Sequence, residues 1–147
     1  MLIVKHTVET EATPMQIWKV WEDVHNWKNW DQEIELSQID GPFQTGTTGC
    51  TKFVGTPLFK TLLTQVDPNK LVVQETYLSF AKVVSYQSMR QVDDKTEVTF
   101  QVEIRGLLSL FYACKLRQFI KKKIPQEMVL MLKRVHALGG SFGHLNP

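Results

Sequence analysis

Residues 13–31 read TPMQIWKVWEDVHNWKNWD and hold all four tryptophans of the chain. Thr13 suits a helix N-cap, Pro14 has the fixed φ that the first helical position favours, and Gln16 stands where a capping box places its second member. Hydrophobic residues then recur at helical spacing and form one apolar face: Ile17, Val20, Trp21 and Val24. Asn26 suits the cap of a second, very short helix. The stretch therefore predicts two consecutive short helices whose aromatic side chains are suited to plug the edge of a curved sheet.

Strand patterns flank these helices on both sides. Residues 2–10 alternate with a period of two, which places Val4, His6 and Val8 on one face of a strand. After the helices the sequence predicts six further strands, at residues 34–39, 50–54, 60–66, 71–76, 80–92 and 96–104. Turn-forming sequences separate these strands, so we expect an antiparallel meander.

A long helix is predicted from Leu107 to Leu138, because apolar residues recur there at steps of three and four. Pro125 lies inside this helix and removes one backbone hydrogen bond, so we expect a kink or a break nearby. The glycine-rich sequence after Leu138 ends the helical pattern. We therefore expect one domain over residues 1–138 and a flexible tail over residues 139–147.

Two motifs occur together and in order: IWxxWxDVxxWxxWD at residues 17–31 and IDGPFxxGTxG at residues 39–49. With them, the chain resembles the START-like polyketide cyclase/dehydrase superfamily (SRPBCC) along nearly its whole length. The resemblance implies an α+β helix-grip fold, in which a curved antiparallel sheet of about seven strands (β-α-α-β6-α) wraps around a long C-terminal helix and encloses a cavity. The superfamily includes aromatic cyclases and lipid carriers, so the fold alone does not choose a function.

The composition is that of an ordinary globular domain, with 43% hydrophobic and 22% charged residues in a chain of 147. Cys50 and Cys114 are the only cysteines, and the N-terminus lacks the pattern of a secretion signal. These features favour a cytoplasmic location. The longest apolar stretch, around residues 106–114, is shorter than the ~20 residues that a membrane-spanning helix needs.

The charges are distributed unevenly along the chain. Residues 105–147 contain eight Lys and Arg residues against one acidic residue, whereas residues 1–104 contain nine against fourteen. The basic residues concentrate at Lys115, Arg117, Lys121, Lys122 and Lys123. This concentration suggests peripheral contact with an acidic membrane or protein surface. The alternative is a solvated helix face, and nucleic-acid binding is not expected because stacking aromatic residues do not alternate with the basic ones.

An antiparallel sheet that curves around one helix leaves an interior space of the kind that small molecules occupy. We expect the inward side of the strands and the apolar side of the last helix to line it, with Trp30 and Phe53 near the opening. The candidate ligand-binding residues are Trp30, Phe53, Tyr77, Tyr86, Phe100, Phe111, Met128, Met131 and Leu132. The alternative for each of them is a position in a solid core.

Motifs for catalysis are mostly absent. The four histidines and two cysteines lack metal-site spacing, and no phosphate-binding loop or nucleophile elbow is present, so we expect neither a metal nor another cofactor. His6 is the ionisable residue expected on the inward face, where it would act as an acid or base or serve as a structural residue. The family resemblance implies pocket tyrosines in cyclases, and Tyr77 and Tyr86 are the candidates.

Three functional hypotheses follow from these observations. The first is a binding or carrier domain that takes an apolar small molecule or lipid into an internal cavity. The second is an enzyme of the cyclase or dehydrase type that acts on a polyketide-like or aromatic substrate, with His6 and a tyrosine as acid and base. The third is an interaction module that docks through its basic helix face. The first is preferred, because the sequence supports the pocket-bearing fold more strongly than it supports acid–base chemistry.

Overall fold

The computed structural model describes residues 1–143, with side chains as far as Gly139. Seven strands, two α-helices and one 3-10 helix follow each other in this part of the chain. The elements are β1 (Leu2–Thr10), α1 (Pro14–Glu22), the 3-10 helix (Val24–Asn29), β2 (Ile34–Ile39), β3 (Thr48–Phe53), β4 (Leu58–Asp67), β5 (Leu71–Leu78), β6 (Ala81–Val92), β7 (Lys95–Arg105) and α2 (Ser109–Gly143). The predicted α+β architecture is thus confirmed, with strand limits that differ by one or two residues.

All seven strands belong to one antiparallel sheet in the order β1-β7-β6-β5-β4-β3-β2. The first strand closes against the last strand, and the other strands meander between consecutive neighbours. Three register shifts interrupt the ladders, in the pairs β1–β7, β2–β3 and β4–β5. Such irregularities increase the local twist and bend of a strand, and therefore help the sheet to curve.

The first helix begins as its sequence predicts. The Thr13 hydroxyl accepts a hydrogen bond from the Gln16 backbone N–H at 3.2 Å, and the Gln16 side chain accepts one from the Thr13 N–H at 2.9 Å. Pro14 occupies the first turn. The second short helix differs from the prediction, because it is a 3-10 helix that begins at Val24. Asn26 lies inside it and donates a side-chain hydrogen bond to Asp23, so Asn26 is not its cap.

The core lies between the inner face of the sheet and the helices. Trp21 is completely buried, and its ring packs edge-on against Phe100 of β7 with 6.1 Å between the ring centroids. Met128 and Met131 of α2 are also completely buried in this core. α2 packs mainly against β1, β7 and α1. The helix therefore lies against one side of the curved sheet, and β3 to β6 extend beyond its main contacts.

α2 is longer than the sequence predicts. It starts at Ser109 and continues to Gly143, beyond the expected end at Leu138, and it passes through Pro125 without a break. Pro125 costs the helix one backbone hydrogen bond, which the packing of Ile124 and Met128 in the core offsets. Of the tail expected over residues 139–147, the last four residues lie outside the described part of the chain.

Candidate functional site

The strand register divides the sheet into an inner and an outer face. Phe100 of β7 pairs with His6 of β1 on one side and with Gln87 of β6 on the other, and Gln87 pairs with Val72 of β5. Directly paired residues point to the same face of a sheet. Because Phe100 packs against Trp21 in the core, all four side chains of this row point inward.

A polar patch lies within the inner face. Ser85 of β6 pairs with Gln74 of β5, and Ser85 is two residues from Gln87 on the same face. We call Gln74, Ser85 and Gln87 the inner polar patch. All three residues are partly exposed to solvent. Since β5 and β6 are central strands that lie beyond the main contacts of α2, this exposure reports an inner face that α2 leaves uncovered rather than a free sheet edge.

The Gln87 side chain is incompletely satisfied. Its Oε1 atom is buried, and no hydrogen-bond donor of the described residues contacts it. The indole N–H groups of Trp21 and Trp30 are also buried, and no hydrogen-bond acceptor of the described residues contacts them. Buried polar atoms without partners are rare in folded proteins, because each one loses its hydrogen bond to water. Gln87 therefore provides an acceptor beside the partly exposed patch, available to any donor that enters there.

Most of the candidate ligand-binding residues contribute to the core. Phe100, Met128 and Met131 are buried between the sheet and α2, and Trp30 is buried beside Trp27 with 6.3 Å between ring centroids. Trp30 is thus enclosed rather than placed at an opening. Phe53 is partly exposed and contacts Phe59, with 6.3 Å between the ring centroids. His6 lies on the inner face, partly exposed, next to Phe100.

Three candidate residues lie away from the interior. Tyr77 and Tyr86 point to the outer face, where the Tyr77 hydroxyl donates to Glu75 at 2.8 Å and the Tyr86 hydroxyl accepts from Arg105 at 2.8 Å. Tyr86 pairs with Gln101, which directly follows Phe100 in β7 and therefore points to the opposite, outer face of the sheet. Phe111 lies on the exposed side of α2 and is 50% accessible to solvent. The expectation that these residues line the cavity is therefore wrong.

Leu132, the remaining candidate, lines an open cleft of about 280 Å³ between α2 and the sheet. His136 follows it on α2, and the opposite wall contains Glu9 and Glu11 near the end of β1, together with Lys95 at the start of β7. Charges of both signs surround this cleft. Leu132 also packs against the core, so it separates the cleft from the interior.

A pair of carboxyl groups joins α2 to the loop before β2. Glu127 of α2 forms a side-chain hydrogen bond with Asp31, which follows the 3-10 helix. Asp31 is almost fully buried, and its Oδ1 atom also accepts the Glu33 backbone N–H at 3.0 Å. Lys123, one turn before Glu127, forms an ion pair with Glu33 at 3.0 Å. This acid pair, with Asp31 buried and Glu127 half-buried, and the Lys123 ion pair thus attach the middle of the long helix to the loop before β2.

Burial raises the pKa of both acids, because a desolvated carboxylate loses its hydration. The pKa of Glu127 rises to about 9 through burial and through the nearby charge of Asp31. The pKa of Asp31 rises to about 6 through burial, opposed by the Glu33 backbone N–H and by Lys123. Glu127 therefore keeps its proton at neutral pH and donates it in the hydrogen bond to Asp31.

The sequence contains a signal for this pair that its periodicity does not reveal. Glu127 is the single acidic residue of the basic region 105–147, and it immediately precedes the buried Met128. Asp31 ends the tryptophan-rich stretch. A lone acid on the flank of an apolar helix face needs a partner, because an unpaired buried charge is costly. The partner lies far away in sequence, so the fold is needed to identify it.

Among residues 1–143, no group of three or more His, Cys, Asp and Glu side chains is arranged to hold a metal ion. Within the same residues, no helix is both long and apolar enough to cross a bilayer.

The fold is shared with several solved proteins. Norcoclaurine synthase from Thalictrum flavum has a TM-score of 0.67 at 17% identity, covering 90% of this chain and 84% of that chain, and one of its structures contains dopamine and hydroxybenzaldehyde. A hypothetical protein from Helicobacter pylori has a TM-score of 0.76 at 10% identity, covering 89% and 86%. The di-domain ARO/CYC StfQ from the steffimycin biosynthetic pathway has a TM-score of 0.75 at 7% identity, covering 95% of this chain and 52% of that chain.

Because these sequence identities are low, the structural likeness shows a common fold but does not show a common activity. No curated protein gives a significant sequence match. A family model described as "Polyketide cyclase / dehydrase and lipid transport" matches residues 1–135. Because that match spans most of the chain, and the helix-grip architecture agrees with it, the chain belongs to the polyketide cyclase/dehydrase and lipid transport family.

Proposed function

We propose that this protein is a carrier that binds one largely apolar molecule with a hydrogen-bond donor between the sheet and α2. The observation that carries the proposal is the partial exposure of Gln74, Ser85 and Gln87 on the inner face of central strands. Side chains in such positions retain accessible surface only where nothing packs over them. This exposure supports an interior that is open beside the inner polar patch.

The walls of this interior differ in chemistry. Val4 and Val83 are partly exposed on the inner face and supply apolar surface, and its burial against a ligand would contribute about 25 cal/mol for each Å² removed from water. The inner polar patch adds a small number of polar groups, which are the side chains of Gln74, Ser85 and Gln87. Pockets for small molecules combine these two features, a mostly apolar lining and a few polar atoms that fix orientation.

Gln87 favours a ligand with a hydroxyl or N–H group. Its Oε1 atom lacks a donor, and Ser85, two residues away on the same face, is partly exposed. A buried acceptor left without a partner costs about 1–3 kcal/mol, and a donor on the ligand removes that cost. The hydroxyl-bearing aromatic ligands of norcoclaurine synthase are consistent with this class of molecule on the same fold.

Two matched probes test the proposal. 2-Naphthol has a hydroxyl donor, whereas 2-methoxynaphthalene has the same ring system and no donor. Isothermal titration calorimetry should show saturable binding of 2-naphthol to one site, with an affinity at least about fivefold above that of 2-methoxynaphthalene, since one hydrogen bond contributes about 1 kcal/mol. Absence of saturable binding by both probes would contradict the carrier function.

A cyclase-type or dehydrase-type enzyme is the second candidate, because Glu127 retains a proton at neutral pH beside the Asp31 carboxylate. Such enzymes transfer protons to and from carbon next to a carbonyl. Benzoylacetone dissolved in D₂O is a suitable probe, since removal of its acidic proton and return of deuterium are visible by NMR. Exchange that is accelerated by the wild-type protein and lost in Glu127→Gln would support an enzyme, and exchange at the buffer rate would support a carrier.

A further inference from the structure

The β5–β6 turn and the loop between β7 and α2 are hydrogen-bonded to each other at one end of the sheet. The Phe80 carbonyl in the β5–β6 turn accepts a hydrogen bond from the Leu108 N–H at 3.0 Å, and the Ser79 carbonyl accepts one from the Tyr112 hydroxyl at 3.2 Å. Gly106 has a φ of +110°, and a Cβ atom there would lie 2.8 Å from the Ala81 Cα. The close approach of the two loops therefore requires glycine at this position.

These joined loops display large apolar side chains to solvent. The exposed fractions are 72% for Phe80, 85% for Leu107, 64% for Leu110 and 50% for Phe111. Single exposed apolar residues are common, but four large ones on adjacent turns are unusual for a surface that stays in water. We call these four residues the apolar tip.

Basic residues follow the apolar tip along α2. The Lys115 ammonium lies 4.8 Å from the centre of the Phe111 ring, and Lys121 and Lys122 are exposed further along the helix. The chain has no acidic residue between Glu103 and Glu127. Lys123 is not part of this surface, because it is mostly buried in its ion pair with Glu33.

The acidic residues near the tip are already neutralised by partners. Glu75 forms an ion pair with Lys82 at 2.8 Å, and Glu103 forms one with Arg105 at 2.6 Å. Both carboxylates lie on the outer face of the sheet. The apolar tip and its lysines therefore present a positive potential that these acids do not cancel.

We propose that the apolar tip, with Lys115, Lys121 and Lys122, docks this protein on the surface of an anionic lipid bilayer. Apolar side chains that insert at the level of the lipid headgroups, combined with lysines that face anionic lipid, are the two components of peripheral membrane binding. This proposal is independent of whether the interior holds a ligand.

Vesicle flotation tests the proposal with the complete chain. Wild-type protein should float with vesicles of phosphatidylcholine and phosphatidylserine, and should float less with phosphatidylcholine alone or at high salt. Lys121→Glu/Lys122→Glu should reduce the partition coefficient on the anionic vesicles at least about tenfold, because each lysine near the surface contributes substantially to binding. Leu107→Ser/Phe111→Ser should reduce binding to both vesicle types.

Matched controls separate docking from general effects. Lys19→Glu/Lys28→Glu makes the same change of charge on exposed positions of other helices, and Met15→Ser/Val92→Ser removes exposed apolar surface elsewhere. Both controls should float like the wild type, and circular dichroism should show that all four variants are folded. The proposal is overturned if wild type does not bind the anionic vesicles, if the controls lose as much binding as the docking variants, or if the apolar tip instead mediates concentration-dependent dimerisation in sedimentation experiments.

Discussion

The carboxyl group of Glu127 in the middle of α2 is hydrogen-bonded to the carboxyl group of Asp31 in the loop before β2. The two residues stand far apart in sequence and belong to regions of opposite charge. Their contact, reinforced by the ion pair between Lys123 and Glu33, ties the long helix to the loop that follows the tryptophan-rich stretch. The proton that they share makes this attachment depend on pH.

Stability should decrease as pH rises from about 4 to about 9, because the pKa values of Asp31 and Glu127 are raised on folding from 3.8 and 4.5 to about 6 and about 9. A raised pKa means that the folded state binds more protons than the unfolded state, so the stabilisation is present at low pH and is lost as the groups ionise. Glu127→Gln keeps a neutral side chain at every pH and should flatten this decrease in urea unfolding. The control Glu22→Gln, at an exposed position of α1, should retain the wild-type slope.

Trp21→Ala should lower the free energy of unfolding by about 3–5 kcal/mol, because it removes a completely buried ring that packs against Phe100. Met15→Ala on the same helix is the control, since Met15 is 61% exposed, and it should change stability by less than about 0.5 kcal/mol. Chemical denaturation followed by circular dichroism measures both. A small effect at Trp21 would mean that the short helices are not part of the core.

Gln87→Met should abolish the preference for 2-naphthol over 2-methoxynaphthalene, because methionine has a similar size and no comparable hydrogen-bond acceptor. The affinity for 2-methoxynaphthalene should stay the same or rise, since the variant no longer buries an acceptor without a partner. Calorimetric titration of both probes gives the comparison. The exposed Gln91→Met serves as the control, and a preference that survives in Gln87→Met would rule out Gln87 as the orienting group.

His6→Gln distinguishes a carrier from an enzyme. His6 lies on the inner face beside Phe100, where a ligand in the interior can approach it. For a carrier, probe affinity should stay within a few fold, because apolar burial supplies most of the binding and one hydrogen bond contributes about 0.5–1.5 kcal/mol. For an enzyme that uses His6 as its base, turnover should fall by about 10²–10⁴ with little change in binding. We expect the first outcome, measured by calorimetry and by deuterium exchange into benzoylacetone.

Local sequence signals predicted much of the fold. The cap formed by Thr13 and Gln16 depends on neighbouring residues alone, and the alternation along β7 reports a buried inner face directly. The short 3-10 helix was assigned the wrong cap, because Asn26 and Asp23 both suit that role and only their mutual hydrogen bond separates them. A cap that depends on two neighbouring residues is therefore predictable, whereas two competing cap residues leave the start of a short helix undetermined.

The candidate site was predicted less well, because it depends on register and on long-range contacts. The short turn at Asp93 and Asp94 pairs Val92 with Lys95, and this register places Tyr86 opposite the outward-facing Gln101. The sequence thus contained the information that excludes Tyr86 from the interior, but alternation within one strand does not reveal it. The lone acid Glu127 indicates that a partner is needed, but nothing local identifies Asp31 as that partner, since the contact forms when α2 folds back across the sheet.

The most direct test of interior binding is an NMR titration of isotope-labelled protein with 2-naphthol. The account predicts saturable shifts of backbone and side-chain amide signals at Gln74 and Gln87, on the inner face, and unchanged signals at Tyr77 and Tyr86, on the outer face. All the shifts should fit one dissociation constant. Shifts confined to the outer face, or changes that never saturate, would contradict the account.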